Sequence, residues 1–266
     1  MPVECNIGLD VLGQERFHAV DKAVMRHAFD IHNTMGRFWD ERIYQEELAQ
    51  RCRAVGFHVD REVLLRASHQ GFTKPYYLDM VVERGAVYEL KAVEMLNGSH
   101  QTQLINYLLL AGLNHGKLVN FRPGSVESRF VSTRLRRQDR LTLRLNDSAW
   151  QGDDEAGERM RGILCALLGD WGAFLDVNLY REALLHLLDG PEAGIRPVDV
   201  VVEGRVVGSQ KMALLTARTA WHLSTLRQHS TSYETHLVRL LRHTPLDKIH
   251  WINLDQRAVT LKTLRK

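Results

Sequence analysis

The chain has 266 residues, 44% apolar and 25% charged, with 35 Lys and Arg against 32 Asp and Glu for a net charge of +3. That apolar content suffices for a packed core, in one large or two small domains, and excludes a disordered chain; the near-balanced charge by itself argues neither for nor against a nucleic-acid partner. No apolar run approaches the roughly 18 residues of a membrane span, and the opening MPVECNIGLDVLGQERF has neither a basic n-region nor an apolar h-region, so a cytoplasmic protein without membrane contact is expected.

Three scattered cysteines, Cys5, Cys52 and Cys165, with no CxxC, suggest neither a disulfide framework nor a zinc knuckle. In chain order, Val24, Ala28, Ile31 and Met35 mark a helix over Ala19 to Met35. Gly36 separates it from a second helix, about Glu41 to Ala54. GFHVDREVLLR (Gly56 to Arg66) alternates as a strand, a hairpin follows, and Ser99 is placed as the N-cap of a helix through Leu110. After a turn at Gly112 to Gly116, GKLVNF and SRFVSTRL read as two strands. The pattern predicts an α/β architecture, a mixed sheet flanked by helices. Six arginines between Arg129 and Arg144 lie in a segment that alternates like a strand; they suit either a strip that tracks phosphates or an edge protected against aggregation.

The hairpin YYLDMVVERGAVYELKAV carries the chemistry. A three-residue loop Glu83-Arg84-Gly85, with Gly left-handed, pairs Val82 with Ala86 and sets Asp79 opposite Glu89. Strand alternation then puts Lys91 on the same face and Leu90 in the opposite layer. Two carboxylates and the Leu90 carbonyl supply the oxygen ligands that Mg²⁺ prefers, and Lys91 could stabilise phosphorane charge or orient a water. On the hairpin alone, an ordinary Asp, Glu and Lys set on a solvated face is the competing reading. Gln103 and Tyr107 stand four apart on one helix face just beyond it.

With those residues the chain resembles the PD-(D/E)XK nuclease superfamily, including the Gln-x-x-x-Tyr helix of RecB-type nucleases. Over about residues 19 to 134 it is similar to the bacterial GxxExxY protein family of that superfamily. The resemblance rests on AVDKAVMRHAFDIHNTMG, ERIYQEELAQRCRAVGFHVDREV, YYLDMVV and YELKAVEMLNGSHQTQLINYLLLAGLNHGKLVNF, in order. Glu41 and Tyr44 match the Glu and Tyr of the family's name, although Gly36-Arg37-Phe38 stands where Gly-x-Gly is usual. The resemblance implies a restriction-endonuclease-like fold with Asp79, Glu89, Lys91 and Glu41 as catalytic residues. It implies a Mg²⁺ or Mn²⁺ cofactor held by Asp79, Glu89, Leu90 and Glu41, and nucleic acid held by Gln103, Tyr107 and Tyr44.

The second half echoes the first. GAFLDVNLYREAL (Gly172 to Leu184) aligns with GRFWDERIYQEEL (Gly36 to Leu48) at a shift of 136, with 6 of 13 positions identical. VDVVVEGRVVGSQK (Val198 to Lys211) aligns with LDMVVERGAVYELK (Leu78 to Lys91) at a shift of 120, and WINL (Trp251 to Leu254) with LVNF (Leu118 to Phe121) at 133. A tandem duplication is expected, with domains 1–145 and 146–266, a linker near Asn146 to Glu158, and a second copy that has lost about one strand before Asp199. That copy keeps Asp199 and Lys211 but has Val177 for Glu41 and Ser209 for Glu89, with Leu223 and Arg227, or His222 and Leu226, at the Gln and Tyr positions. It reads as degenerate, packing as an internal pseudo-dimer partner in a chain that can stay monomeric.

Histidines 222, 229, 236, 243 and 250 recur every seven residues, but seven helical residues rise about 10.5 Å, too far for one ion; the spacing reads as accident plus a helix face. The function expected is a metal-dependent nuclease acting on DNA in preference to RNA. The alternative is a non-catalytic nucleic-acid-binding or protein-interaction scaffold that kept the fold.

Overall fold

The computed structural model describes residues 3–152, 154–189, 193–228 and 230–266. By internal contacts the chain divides into two units, Met1–Ser68 with Thr73–Arg137, and His69–Phe72 with Gln138–Lys266. Among the described residues no helix is long and apolar enough to cross a membrane.

In the first unit, Phe17, Val20, Val24, Ala28 and Ile31 recur at helical spacing and form the buried stripe of α1 (Gln14–Met35). Gly36, at φ +77°, ends α1, and α2 (Glu41–Ala54) follows. The sheet runs in the order β1 (Val3–Cys5), β2 (Val59–His69), β3 (Phe72–Val82), β4 (Ala86–Lys91), β5 (His115–Asn120), β6 (Glu127–Ser132). β4 and β5 are parallel, joined by the crossover helix α3 (Gly98–Ala111). Met80, Tyr88 and Leu90 join the α1/α2 core, so alternation turns Asp79, Glu89 and Lys91 to the other face.

The helix α3 starts one cap earlier than expected. Asn97, not Ser99, is its N-cap, and Asn97 and His100 bond each other's backbone in a reciprocal box. The arginine strip is not one strand. β6 stops at Ser132, and Arg137–Leu141 is a short helix, α4, in which Arg140 is buried and donates to the Trp171 carbonyl at 2.7 Å.

The second unit contains β7 (Arg144–Ala149), α5 (Glu155–Trp171), α6 (Val177–Leu187), β8 (Gly194–Val202), β9 (Arg205–Thr216), β10 (Thr219–Ser224), α7 (Ser230–Arg242), β11 (Lys248–Asp255) and β12 (Ala258–Arg265). Its sheet has the order β7-β12-β11-β10-β9-β8. Much of the stretch expected as a linker is therefore regular structure, because β7 finds hydrogen-bond partners along β12.

Each unit runs two helices, a three-strand antiparallel meander, a crossover helix and two strands, with the last meander strand parallel to the strand after the crossover. Local bonds repeat as well. Tyr44 donates to the Gly36 carbonyl and Tyr180 to that of Gly172, both glycines having φ near +75°. The Asn120 side chain brackets the Val93 backbone, and Asn253 brackets Leu226.

Two expectations for this unit are corrected. No meander strand is missing: Val198–Lys211 spans the first hairpin of its meander (β8–β9), whereas Leu78–Lys91 spans the second (β3–β4). Successive hairpins of a meander share the same alternating apolar pattern, so short identities aligned the wrong pair. Tyr88 pairs with Met80, and Trp221 with Ala213; sheet position therefore matches Asp79 to Met212, Glu89 to His222 and Lys91 to Ser224. Asp199 instead lies on the edge strand, opposite Ser209, and Leu223 and His222 sit on β10, not on a helix. The seven-residue histidines also share no helix: His222 is on β10, His236 on α7, His243 beyond it and His250 on β11, with His229 outside the described residues.

Candidate active site

The β3–β4 turn sets the site's register. Val82 pairs with Ala86, Val81 with Val87 and Met80 with Tyr88, and one further step brings Asp79 level with Glu89. The turn's chemistry differs from the expectation. Glu83 and Arg84 take the left-handed conformation, at φ +50° and +56°, and the Gly85 N–H donates to the Val82 carbonyl. Gly85 is needed for space, since a Cβ there would lie 2.2 Å from the Asp10 carbonyl oxygen.

Asp79 Oδ2 accepts the Leu90 N–H at 2.8 Å, which ties the first carboxylate to the strand bearing the second. Glu89 is 1% exposed; its Oε1 accepts from Lys91 Nζ at 2.8 Å, while its Oε2 is buried with no hydrogen-bond partner. Glu41, in the first turn of α2, holds Oε1 3.8 Å from Lys91 Nζ. Lys91 is thus shared between Glu89 and Glu41 at a site closed on most sides.

Burial is the largest influence on both strand carboxyls and raises both above the usual range. Lys91 and the Leu90 N–H oppose the rise at Asp79, whereas Asp79 adds to it at Glu89. Burial pushes the Lys91 ammonium down, but Glu89, Asp79 and Glu41 outweigh it and the net shift is upward. Together these groups form a compact anionic site that shares too few cations, with one carboxylate oxygen left bare.

Gln103 and Tyr107 do share a face of α3. Gln103 Nε2 donates to the Tyr107 hydroxyl at 2.8 Å, and the Tyr107 ring meets Tyr76 edge to face. Tyr107 titrates high, chiefly through burial, and it feels the charges of Glu89 and Asp79, which places it beside the carboxylates. Tyr44 is elsewhere. It is fully buried, stacks on Phe121 with centroids 4.4 Å apart, donates to the Gly36 carbonyl at 2.8 Å and accepts from the Trp39 N–H. The expectation that Tyr44 contacts nucleic acid is corrected: its hydroxyl anchors the turn that delivers Glu41.

One site carboxylate escaped the sequence reading. Glu62 adds its charge to Asp79. It lies in β2 at φ +51°, an uncommon conformation for glutamate. The two left-handed residues Gln70 and Gly71 form a two-residue hairpin turn between β2 and β3. Counting back from His69 and Phe72 in antiparallel register sets Glu62 opposite Asp79, a signal the Gln-Gly pair carried in the sequence.

Among the described residues no group of three or more His, Cys, Asp or Glu side chains already encloses a metal position. The donors nevertheless fit a hard divalent cation. Two adjacent carboxylates, one with an unpartnered buried oxygen, and the carbonyl of Leu90 offer oxygen ligands, and such an ion keeps several waters.

Residues 18–132 match the family model of the PD-(D/E)XK nuclease superfamily. No curated protein and no solved structure matches the chain.

Proposed function

We propose that the protein is a Mg²⁺- or Mn²⁺-dependent nuclease that hydrolyses phosphodiester bonds of DNA in the first unit. The observation that carries this reading is the bare, buried Glu89 Oε2 beside Asp79, with Lys91 held over the pair. A buried carboxylate oxygen without a donor costs stability, and a divalent cation is the partner that would offset it. Asp79, Glu89 and the Leu90 carbonyl would hold the ion, with Glu41 at its margin. When bound, the ion would lower the pKa of a coordinated water and neutralise phosphorane charge.

Ligation of Glu89 would free Lys91 to face the attacking water or a phosphate oxygen. Gln103 and Tyr107, on the adjoining helix face, would orient the nucleotide at the scissile bond. No base-reading motif is visible, so backbone and shape set the recognition. The GxxExxY resemblance supports the same reading, through Glu41 at the head of α2 and the ordered blocks around it. We read the two units as copies of one ancestral unit, supported by their matching element order and by the repeated Tyr–Gly and Asn brackets.

The test is cleavage of end-labelled single-stranded, double-stranded and flapped DNA in Mg²⁺ or Mn²⁺. Cutting that stops with EDTA and in Lys91→Ala supports the proposal. Absence of cutting together with absence of Mn²⁺ binding would return the protein to a scaffold role.

A further inference from the structure

The second unit contains a cavity of about 780 Å³ between α7 and the face of its sheet. Its walls are mostly apolar, and its volume lies in the range of small-molecule sites, roughly 300 to 1,000 Å³. The cavity occupies the sheet position that the carboxylates hold in the first unit. Met212, matched to Asp79, and His222, matched to Glu89, both line it. α7 supplies the far wall through Leu237 and Leu240, as α3 covers the carboxylate face of the first unit.

The charge is inverted. Among the described residues no Asp or Glu lines this cavity, whereas Arg181 and Lys211 do, with His222, His236 and His243. Arg181 Nη1 bonds the Asn178 side chain and Nη2 the Leu223 carbonyl, which leaves further guanidinium donors on a group fixed beside the cavity. Lys211 is exposed. His222 Nε2 is 2.6 Å from the Tyr233 hydroxyl, so a second aromatic is fastened to the wall.

A cluster of carboxylates accepts a phosphate only with a metal between them. Here the carboxylates are gone and the chain supplies the cations itself, so an anion can be held directly. We infer that this cavity binds one nucleotide unit without metal, with its base against the Tyr233 side and its phosphate at Arg181. The choice of a nucleotide as the anion rests on the nuclease reading of the first unit; the cavity, its cations and its lack of acids do not. The nucleotide can arrive free or as the 5′ end of a strand, and both present the same chemistry.

The experiment is calorimetric titration of the full chain in EDTA, where no metal-dependent cleavage can occur. The probes are nucleoside monophosphates, the matching nucleosides, a 5′-phosphorylated oligonucleotide and decanoate. Saturable binding of the monophosphate is expected, weaker for the nucleoside, and weakened about tenfold or more by Arg181→Gln, as for loss of one charge-assisted contact. Leu240→Trp, which fills the cavity from partly exposed α7, should abolish it. Tighter binding of the oligonucleotide than of the monophosphate assigns the site to strand ends; equal or weaker binding assigns it to free nucleotide. No binding of any nucleotide, binding indifferent to both variants, or preference for decanoate would overturn the inference. A protein that binds nucleotide in EDTA yet never cuts DNA would refute the nuclease reading and leave this site standing, and a metal-dependent nuclease blind to nucleotides in EDTA would do the reverse.

Discussion

Lys91 Nζ lies 2.8 Å from Oε1 of Glu89, two residues earlier on the same strand, with their side chains 11% and 2% exposed. Residues two apart on a strand point to one face, so β4 itself assembles the ion pair, and Glu41 joins only because α2 begins where it does.

Removing the lysine leaves Glu89 buried beside Asp79 with no adjacent cation. Lys91→Ala should abolish metal-dependent cleavage. The metal-free protein should lose about 3 kcal/mol, the scale for breaking a buried pair. Chemical denaturation with and without Mn²⁺ checks this: added Mn²⁺ should recover more stability in the variant than in the parent, because the ion takes over the missing positive charge.

Glu89 binds its proton more tightly folded than unfolded, since burial and Asp79 raise its pKa. The folded state therefore holds more protons than the unfolded state above the ordinary carboxylate range. Stability from this group is fully present below that range and is lost as the pH rises through the elevated pKa. Metal-free Glu89→Gln should show a flatter decline of melting temperature from acid to mildly alkaline pH than the parent. An equally steep decline in the variant would place the proton elsewhere.

Tyr44→Phe deletes the bond to the Gly36 carbonyl and leaves the stacked ring in place. A loss of about 1 kcal/mol is expected. Cleavage should fall further than stability alone accounts for, because the turn ahead of Glu41 loosens, whereas DNA binding by a metal-free, Lys91→Ala background should be unchanged. Tyr180→Phe, which removes the matching bond to Gly172, should destabilise comparably without altering the cleavage rate of the folded fraction.

Gly85→Ala places a methyl 2.2 Å from the Asp10 carbonyl oxygen and 2.7 Å from Leu12 Cγ. The segment bearing Asp10 must shift, at a cost of about 2 kcal/mol typical of overpacking. Proteolysis near residues 8–12 should accelerate in the variant, with β3–β4 amide protection retained.

Much of the first unit is legible locally. α2 begins at Glu41 and ends at Ala54 as its pattern predicts, and the β3–β4 register follows from the loop length. Glu62 was not found because its meaning depends on a second hairpin, Gln70-Gly71, whose register must be carried seven residues back along the strand. Tyr44 lies three residues from Glu41, close to the same side of the helix, so helical spacing does not separate the two, and only packing against Phe121 shows that the Tyr44 ring enters the core.

The sequence by itself determined the elements whose information is short-range: helical spacing, strand alternation, and the turn that sets Asp79 level with Glu89 two residues from Lys91. Tertiary structure alone decided that β9 and β10 take the sheet positions of β3 and β4, that Met212 and His222 take the sheet positions of Asp79 and Glu89, and that an apolar cavity beside Arg181 lies over them. Spacing along a strand is a property of one chain segment, whereas strand order, burial and the sign of charge in a cleft arise from segments far apart in sequence brought onto one sheet.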